Sequence, residues 1–200
     1  FPPGPVRQRP AFPASADLLR SGADVDEAVR NLSAEEQVEL LKIVLQEAIG
    51  DRDDLLRCIA PEAAVQALEV LLDAGETDGI GTLAENCDAS ALPVMALSIA
   101  KRGTWECLED LLAGLADVDL TEVWPIAVNN AQWDFIDEIA LHADEATLCQ
   151  MALALAEKGR YGELDSFIEE LDPDTLEKLL DYAMAQSDWD AIERIGELLN

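Results

Sequence analysis

The chain has 200 residues, half of them apolar, and a formal net charge of −29 from 42 acidic and 13 basic side chains. This length and composition allow a buried core, but no apolar run is long enough to cross a bilayer. The charge excludes direct binding to nucleic acid and to anionic membranes, because phosphate groups would be repelled. It favours either a strongly solvated surface or a basic partner.

The first 32 residues predict two segments. Residues 1–15 hold five of the nine prolines and form a predicted extended leader. Residues 16–32 predict one or two short helices, broken at Ser21-Gly22, that cover the end of the helices that follow.

A long helix is predicted to begin after Ser33. Ser33 and Glu36 have the spacing of a capping box, in which each side chain binds the backbone amide of the other residue. The helix is expected to continue through Ile49 and to end at Gly50.

Further along the chain, an aromatic residue recurs at a spacing of 28 residues: Trp105, Trp133, Tyr161 and Trp189. Apolar columns keep the same register at helical spacing: Leu92/Leu120/Leu148/Leu176, Ile99/Ala127/Leu155/Ala183, Leu108/Ile136/Leu164/Ile192 and Leu111/Ile139/Phe167/Ile195. A small residue between the apolar sets is expected to end one helix before the next begins: Gly75, Gly103, Ala131, Gly159 or Ser187. The aromatic residue is then predicted to be a structural wedge between neighbouring hairpins.

These patterns predict an all-α fold, an α-solenoid of about six stacked 28-residue helix-turn-helix repeats. The predicted units span residues 33–60, 61–88, 89–116, 117–144, 145–172 and 173–200. The pattern resembles helical-hairpin solenoids as a class. Tetratricopeptide, ankyrin and HEAT repeats take about 34, 33 and 40 residues, and their signatures are absent.

Three places are expected to depart from the pattern. Gly79 and Gly81 weaken the second helix of their unit and predict a soft spot or hinge. Pro125 should kink its helix or delay its start. In the last unit Glu177 and Asp181 replace Cys149 and Leu153, which predicts a polar face that shields the end of the stack.

Side chains that could carry chemistry are few. Cys58, Cys87, Cys107 and Cys149 have no metal-like spacing and indicate reduced thiols, with a Cys58–Cys87 disulfide as the alternative. His142, one turn after Glu138, is expected at a helix end or on the surface. The sequence therefore predicts no catalytic residue, no cofactor and no metal site, and it indicates that the protein is not an enzyme.

The candidate binding residues are acids that follow the recurring aromatic residue by one or four positions: Glu106, Glu109, Asp134, Asp137, Asp165, Asp190 and Glu193. Stacked units would align them along one face, here called the acidic stripe. It is predicted to be either a solvated outer face or a docking surface for an Arg- or Lys-rich segment.

The function expected from the sequence is that of a protein-protein interaction module, an adaptor or scaffold that binds a basic or helical segment. The alternative is an acidic regulatory or effector protein that imitates nucleic-acid charge and occupies a DNA- or RNA-binding protein. A reducing cytoplasmic location is expected, or, alternatively, secretion as an effector that acts inside another cell.

Overall fold

The structure is a computed structural model that describes residues 12–113 and 118–199, and of Phe12 and Pro13 only the backbone. Helix makes up 75% of it, with thirteen α-helices and no strand among the described residues, which confirms the predicted all-α class. None of the helices in these ranges is long and apolar enough to cross a membrane. The chain forms two compact units, one extending to Met95 and the other beginning at Ala96.

The first unit contains six complete helices: α1 (Phe12–Arg20), α2 (Val25–Val29), α3 (Ala34–Glu47), α4 (Arg52–Cys58), α5 (Ala64–Ala74) and α6 (Ile80–Asn86). Short 3-10 turns precede α5, α6 and the next helix: Pro61–Ala63, Thr77–Gly79 and Ala89–Ala91. Helix α7 (Leu92–Arg102) contains the boundary between the units.

Helices α1 and α2 cover the first long hairpin, α3 and α4. Gly22, with φ of 82°, lies in the turn between α1 and α2. Helix α1 packs on α3 and α2 packs on α4, and both Leu19 and Ala28 are buried. Two short helices therefore lie in this range and pack on the hairpin that follows. Helix α1 begins at Phe12, however, inside the predicted leader, because proline at Pro13 is tolerated in a first helical turn. Residues 1–11 lie outside the described residues.

The start of α3 confirms the capping box. Ser33 Oγ accepts from the Glu36 amide at 3.3 Å, and the Ser33 amide donates to Glu36 Oε2 at 2.7 Å. The predicted end at Gly50 is wrong by two residues, because Ala48 already adopts a left-handed conformation with φ of 52°. Gly50 follows with φ of 66°, so the turn contains two left-handed residues and the helix ends at the first.

Gly79 lies at a close contact between α4 and α6. A Cβ atom there would come within 2.6 Å of Leu56 Cδ1, and both residues are buried. The absence of a side chain thus allows α6 to pack tightly on α4. The prediction of a soft spot overlooked this packing role.

The second unit contains the helices α8 (Glu106–Leu112), α9 (Trp124–Asn129), α10 (Ile136–Leu141), α11 (Glu145–Glu157), α12 (Pro173–Gln186) and α13 (Trp189–Leu198). It also contains the 3-10 turns Trp133–Phe135, Tyr161–Leu164 and Ile168–Glu170. The second helix predicted for the unit 145–172 is wrong, because two 3-10 turns lie between α11 and α12 in its place. Gly162, Asp165 and Ser166 are weak helix formers, which accounts for the interruption.

Pro125 is the second residue of α9, so it delays the start of that helix. The described residues before it form turns, including a hydrogen bond from the Val123 amide to the Leu120 carbonyl at 2.8 Å. Proline lacks an amide hydrogen, and the first helical turn is where this costs least. The prediction of a delayed start is confirmed.

The small residues expected to end helices have left-handed backbones. The φ angles are 72° at Gly75, 76° at Gly103, 55° at Ala131, 67° at Gly159 and 59° at Ser187. A left-handed residue lets the next amides bond to the last free carbonyls of the helix, as Ser187 does at the end of α12. The predicted helix ends are therefore confirmed, with Ala131 and Ser187 accepting the strain that glycine avoids.

The apolar columns form the core. Of their sixteen members, all are buried except Ile192, which is half-buried. Full burial of a leucine or isoleucine side chain contributes about 1.5–3 kcal/mol to the free energy of unfolding, so these columns dominate the stability of the helices that carry them.

Candidate interaction surface

The seven residues of the acidic stripe are all exposed. Glu106 and Glu109 lie on α8, and Asp190 and Glu193 lie on α13. Asp134 is in the 3-10 turn before α10, Asp137 is in α10, and Asp165 ends the turn that follows Tyr161. Each acid is therefore accessible to a partner, as a docking surface requires.

Two polar contacts join the C-terminal part of the stripe. Ser166 Oγ donates to Asp137 Oδ1 at 2.7 Å, and Arg194 forms an ion pair with Asp165. Each contact joins two residues that are 29 positions apart. The same spacing therefore relates α10 to the segment that follows Tyr161 and relates that segment to α13. The other five stripe acids are exposed, and among the described residues no such contact defines their spacing: Glu106, Glu109, Asp134, Asp190 and Glu193.

The pairing changes the electrostatics expected of the stripe. Arg194 neutralises much of the charge of Asp165, whereas a hydroxyl donor leaves the charge of Asp137 in place. Both partners are exposed, so each contact stabilises the fold by about 1 kcal/mol or less. Among the described residues, Asp165 is therefore the stripe acid that is paired with a cation.

The recurring aromatic residues differ in how they are covered. Trp105 is buried, and its ring centroid lies 5.9 Å from that of Phe135. Trp133 is half-buried, with the Arg160 guanidinium carbon 4.8 Å from its ring centroid. Tyr161 is buried, which raises the pKa of its hydroxyl. These three residues fit the predicted wedge role, since each is partly or fully enclosed.

Trp189 does not fit that role. Its exposed fraction is 75%, and Met184 on the preceding helix is 52% exposed. Glu177 and Asp181 are exposed on α12, as predicted, but the same hairpin also exposes the apolar side chains of Met184 and Trp189. The wedge prediction for Trp189 is wrong, because no described residue covers its ring.

His142 is more buried than expected. Its side chain is 7% exposed, its Nε2 lies 3.7 Å from Glu138 Oε1, and its Nδ1 is buried without a hydrogen-bond partner. A cavity of about 300 Å³ opens beside it, lined partly by Asp119 and Asp144.

The two carboxylates at this cavity already have local partners. Asp119 accepts from the Thr121 amide at 3.0 Å and Asp144 accepts from the Thr147 amide at 2.8 Å. The hydrogen bond from the Thr121 amide lowers the pKa of Asp119, and hydrogen bonds from the Thr147 side chain and amide lower the pKa of Asp144. Among the described residues no group of His, Cys, Asp and Glu could hold a metal ion.

The four cysteines are free thiols. Cys58 donates to Asp26 Oδ1 at 3.0 Å, and burial together with that hydrogen bond raises its pKa to about 11. Burial also raises the pKa of Cys87 and Cys107. A raised pKa reduces the thiolate fraction at neutral pH, so these three side chains are poor nucleophiles.

Sequence reasoning missed the apolar side chains that surround Trp189 and the Arg160 cation over Trp133. The positions 28 residues before and after Arg160 are Gln132 and Asp188, so no cation recurs at this position and the sequence gave no indication of its contact with Trp133. Met184 occupies a column otherwise filled by Ala156 and Val128, and such a column predicts burial.

No protein-family model, no curated protein and no solved structure shows significant similarity to the chain.

Proposed function

We propose that the chain is a non-enzymatic protein-protein interaction module, an adaptor or scaffold that binds a basic or helical segment of a partner. Its architecture in this proposal is an α-solenoid of six 28-residue hairpins, from residue 33 to residue 200. The acidic stripe is the docking surface. The observation that carries the proposal is the exposure of all seven stripe acids on a chain of net charge −29.

The two contacts that span 29 residues support the solenoid. Ser166 bonding to Asp137 and Arg194 pairing with Asp165 are the same step taken twice, as expected when successive hairpins stack in a constant register. The buried apolar columns and the left-handed residues at 28-residue intervals agree with this register.

A row of exposed acids attracts a basic segment mainly through charge complementarity. The screening length is about 8 Å at physiological salt, so the field raises the association rate and selects against acidic partners. Exposed ion pairs contribute little individually, and affinity requires several cations bound together, as in a helix with one basic face.

Imitation of nucleic-acid charge is the second candidate, favoured by the excess of 42 acids over 13 bases. A mimic needs unneutralised charges at phosphate-like spacing. The Arg194 ion pair removes one such charge from the middle of the stripe, which favours the docking role.

The test is the binding of a fluorescent amphipathic helical peptide with one Lys/Arg-rich face, measured by anisotropy at 50 and at about 300 mM salt. The stripe variant combines Glu106→Lys, Glu109→Lys and Asp134→Lys, and it avoids the two acids with internal partners. The matched control combines Glu35→Lys, Glu62→Lys and Glu85→Lys, three exposed acids of the first unit. Both variants change the net charge equally.

The docking proposal predicts that the stripe variant loses about tenfold or more in affinity, while the control loses about threefold or less. Equal losses in both variants would show attraction to the net charge alone and would overturn the stripe as a site. Charge imitation predicts instead that the wild-type chain releases duplex DNA from a basic DNA-binding domain, and that heparin competes with it.

A further inference from the structure

The last hairpin, α12 and α13, exposes an apolar face. Five large hydrophobic side chains are exposed among the described residues, and three of them belong to this hairpin: Met184, Trp189 and Leu198. Leu180, four positions before Met184, and Ile192, three positions after Trp189, are half-buried on the same helix faces as those two residues. Opposite faces of the same helices are fully enclosed, since Leu179 and Ile195 are at most 1% exposed. Met184 and Trp189 therefore point away from the enclosed faces, whereas Leu198, nine positions after Trp189, lies on the opposite side of α13 from Trp189.

This side corresponds to a buried interface 28 residues earlier. Leu180, Met184, Trp189 and Ile192 correspond in register to Ala152, Ala156, Tyr161 and Leu164. All four of the earlier residues are buried: the exposed fraction is 8% at Tyr161 and 0% at the other three.

The covering of the earlier residues comes from the next hairpin. Helix α11 packs against α12, and Gln186 Nε2 donates to the Ala156 carbonyl at 2.8 Å. The Tyr182 hydroxyl donates to Glu157 Oε1 at 3.1 Å in the same region. The exposed side of α12 and α13 thus consists of residues whose counterparts 28 positions earlier are covered by a helix.

The chain also shows how a tryptophan at this position is covered. Arg160, which comes 27 residues after Trp133, places its guanidinium over the indole ring at 4.8 Å. A guanidinium over an indole is held by the negative face of the ring as well as by contact area. Trp133, which belongs to the same 28-residue series as Trp189, is therefore already covered by an arginine in this chain.

The rim of the exposed side is acidic. Glu177 and Asp181 lie on α12, and Asp190 and Glu193 lie on α13, all exposed. Lys178 is an exposed cation on α12, and Arg194 is paired with Asp165. A second copy would bring another acidic rim and another net charge of −29, so self-association through this side is disfavoured.

We infer that the exposed side of α12 and α13 is a docking surface for an amphipathic basic helix of a partner protein. Apolar residues of that helix pack on Leu180, Met184 and Ile192. An arginine or lysine stacks on Trp189, and further cations face the acidic rim. This inference rests on the proposed function for the basic character of the partner, but it depends on apolar contact with Trp189.

The experiment uses the 200-residue chain and a synthetic amphipathic helical peptide with leucines on one face and arginines at the edge of that face. A second peptide has glutamine in place of each arginine, and a third has the same composition in scrambled order. The protein variants are Trp189→Ala and Met184→Ser. The matched control is Leu141→Ser, because Leu141 is 79% exposed at a different helix end.

Each variant replaces an exposed side chain, so its thermal midpoint should equal that of the wild type. Trp189→Ala should weaken binding about tenfold or more and Met184→Ser by less, while Leu141→Ser stays within about twofold. Peptide binding should reduce acrylamide quenching of wild-type tryptophan fluorescence. The glutamine and scrambled peptides should each bind more weakly than the first.

Loss of affinity in the stripe variant together with full affinity in Trp189→Ala overturns this inference and leaves the proposed function intact. Loss in Trp189→Ala without loss in the stripe variant supports this inference and overturns the stripe as the docking surface. If the peptide does not bind, and sedimentation shows a dimer that Trp189→Ala dissociates, the occupant is a second copy and the inference is wrong. Absence of both binding and dimerisation overturns it as well.

Discussion

The first and last hairpins have similar local construction but opposite exposure. Helices α3 and α12 each have 14 residues, begin at a side-chain cap and end at a left-handed residue. The face of the first hairpin is covered by α1 and α2, whereas Met184 and Trp189 of the last hairpin are exposed. The apolar face of such a hairpin is thus covered where short helices pack on it, and apolar side chains are exposed where none of the described residues packs on it.

The largest expected effect is that of removing a side chain from the covering helices. Leu19 is 3% exposed, and Leu19→Ala should lower the free energy of unfolding by about 2–5 kcal/mol through lost burial and a cavity. Met184→Ala in the last hairpin should change it by about 0.5 kcal/mol or less. Urea denaturation measures both, and equal changes would contradict the difference in covering.

A second difference concerns glycine. Gly79→Ala should lower the free energy of unfolding by about 1–3 kcal/mol, because the new Cβ would meet Leu56 Cδ1 at 2.6 Å. Gly196→Ala in α13 should raise it by up to about 1 kcal/mol, because no atom outside the neighbouring backbone of the helix lies within 4 Å of the new Cβ and alanine favours helix. Thermal denaturation of the two variants should give shifts of opposite sign, and a stable Gly79→Ala protein would refute the tight contact.

The caps of the two hairpins should differ in their response to acid. Hydrogen bonds from Cys149 and Thr175 lower the pKa of Asp172 to about 2, below its usual value of 3.8. The unfolded chain therefore takes up this proton first, so the stability contributed by Asp172 is complete above about pH 4 and is lost as the pH falls towards 2.

In Asp172→Asn this contribution is absent at every pH. The urea midpoint of the variant should lie below that of the wild type at pH 6, and the gap should narrow between pH 4 and pH 2. Ser33→Ala is the control, because it removes a cap whose N-cap residue has no carboxylate. The difference in urea midpoint between this variant and the wild type should vary less between pH 6 and pH 2. A gap in Asp172→Asn that is independent of pH would refute the lowered pKa.

The smallest expected effect compares the covered Trp133 with the exposed Trp189. Arg160→Met removes the cation over Trp133 and should lower the free energy of unfolding by about 0.5–1 kcal/mol. It should also raise the acrylamide quenching of Trp133. Because Arg160 also forms an ion pair with Glu163, the variant Glu163→Gln measures how much of the change in the free energy of unfolding comes from that ion pair. Unchanged quenching in Arg160→Met would show that the guanidinium does not cover the ring.

Much of the helical architecture could be predicted from the sequence, because its signals are local. The capping box at Ser33 and Glu36 involves residues three positions apart, and the turn at Gly75 depends on its own φ. Apolar columns at helical spacing predicted the buried residues for the same reason: a helix places every third or fourth side chain on one face.

The acidic stripe could be predicted only in part. Its residues were identified by spacing, and their exposure agrees with that pattern. The ion pair between Arg194 and Asp165 could not be predicted, because it joins residues far apart in the chain and depends on the register between two packed segments. The 3-10 turns after Tyr161 were missed because a weak helix former lowers helix stability without fixing what replaces it.

The sequence by itself determined most of the helix starts and ends, most of the side chains that the helices bury and that the chain is strongly acidic. Only the tertiary structure decided that Gly79 fits against Leu56, that Arg160 covers Trp133 and that Trp189 has no such cover. Local patterns set the conformation of a segment, but the exposure of a side chain depends on whatever else packs against it. For this reason Tyr161 and Trp189, which share one column, are respectively 8% and 75% exposed.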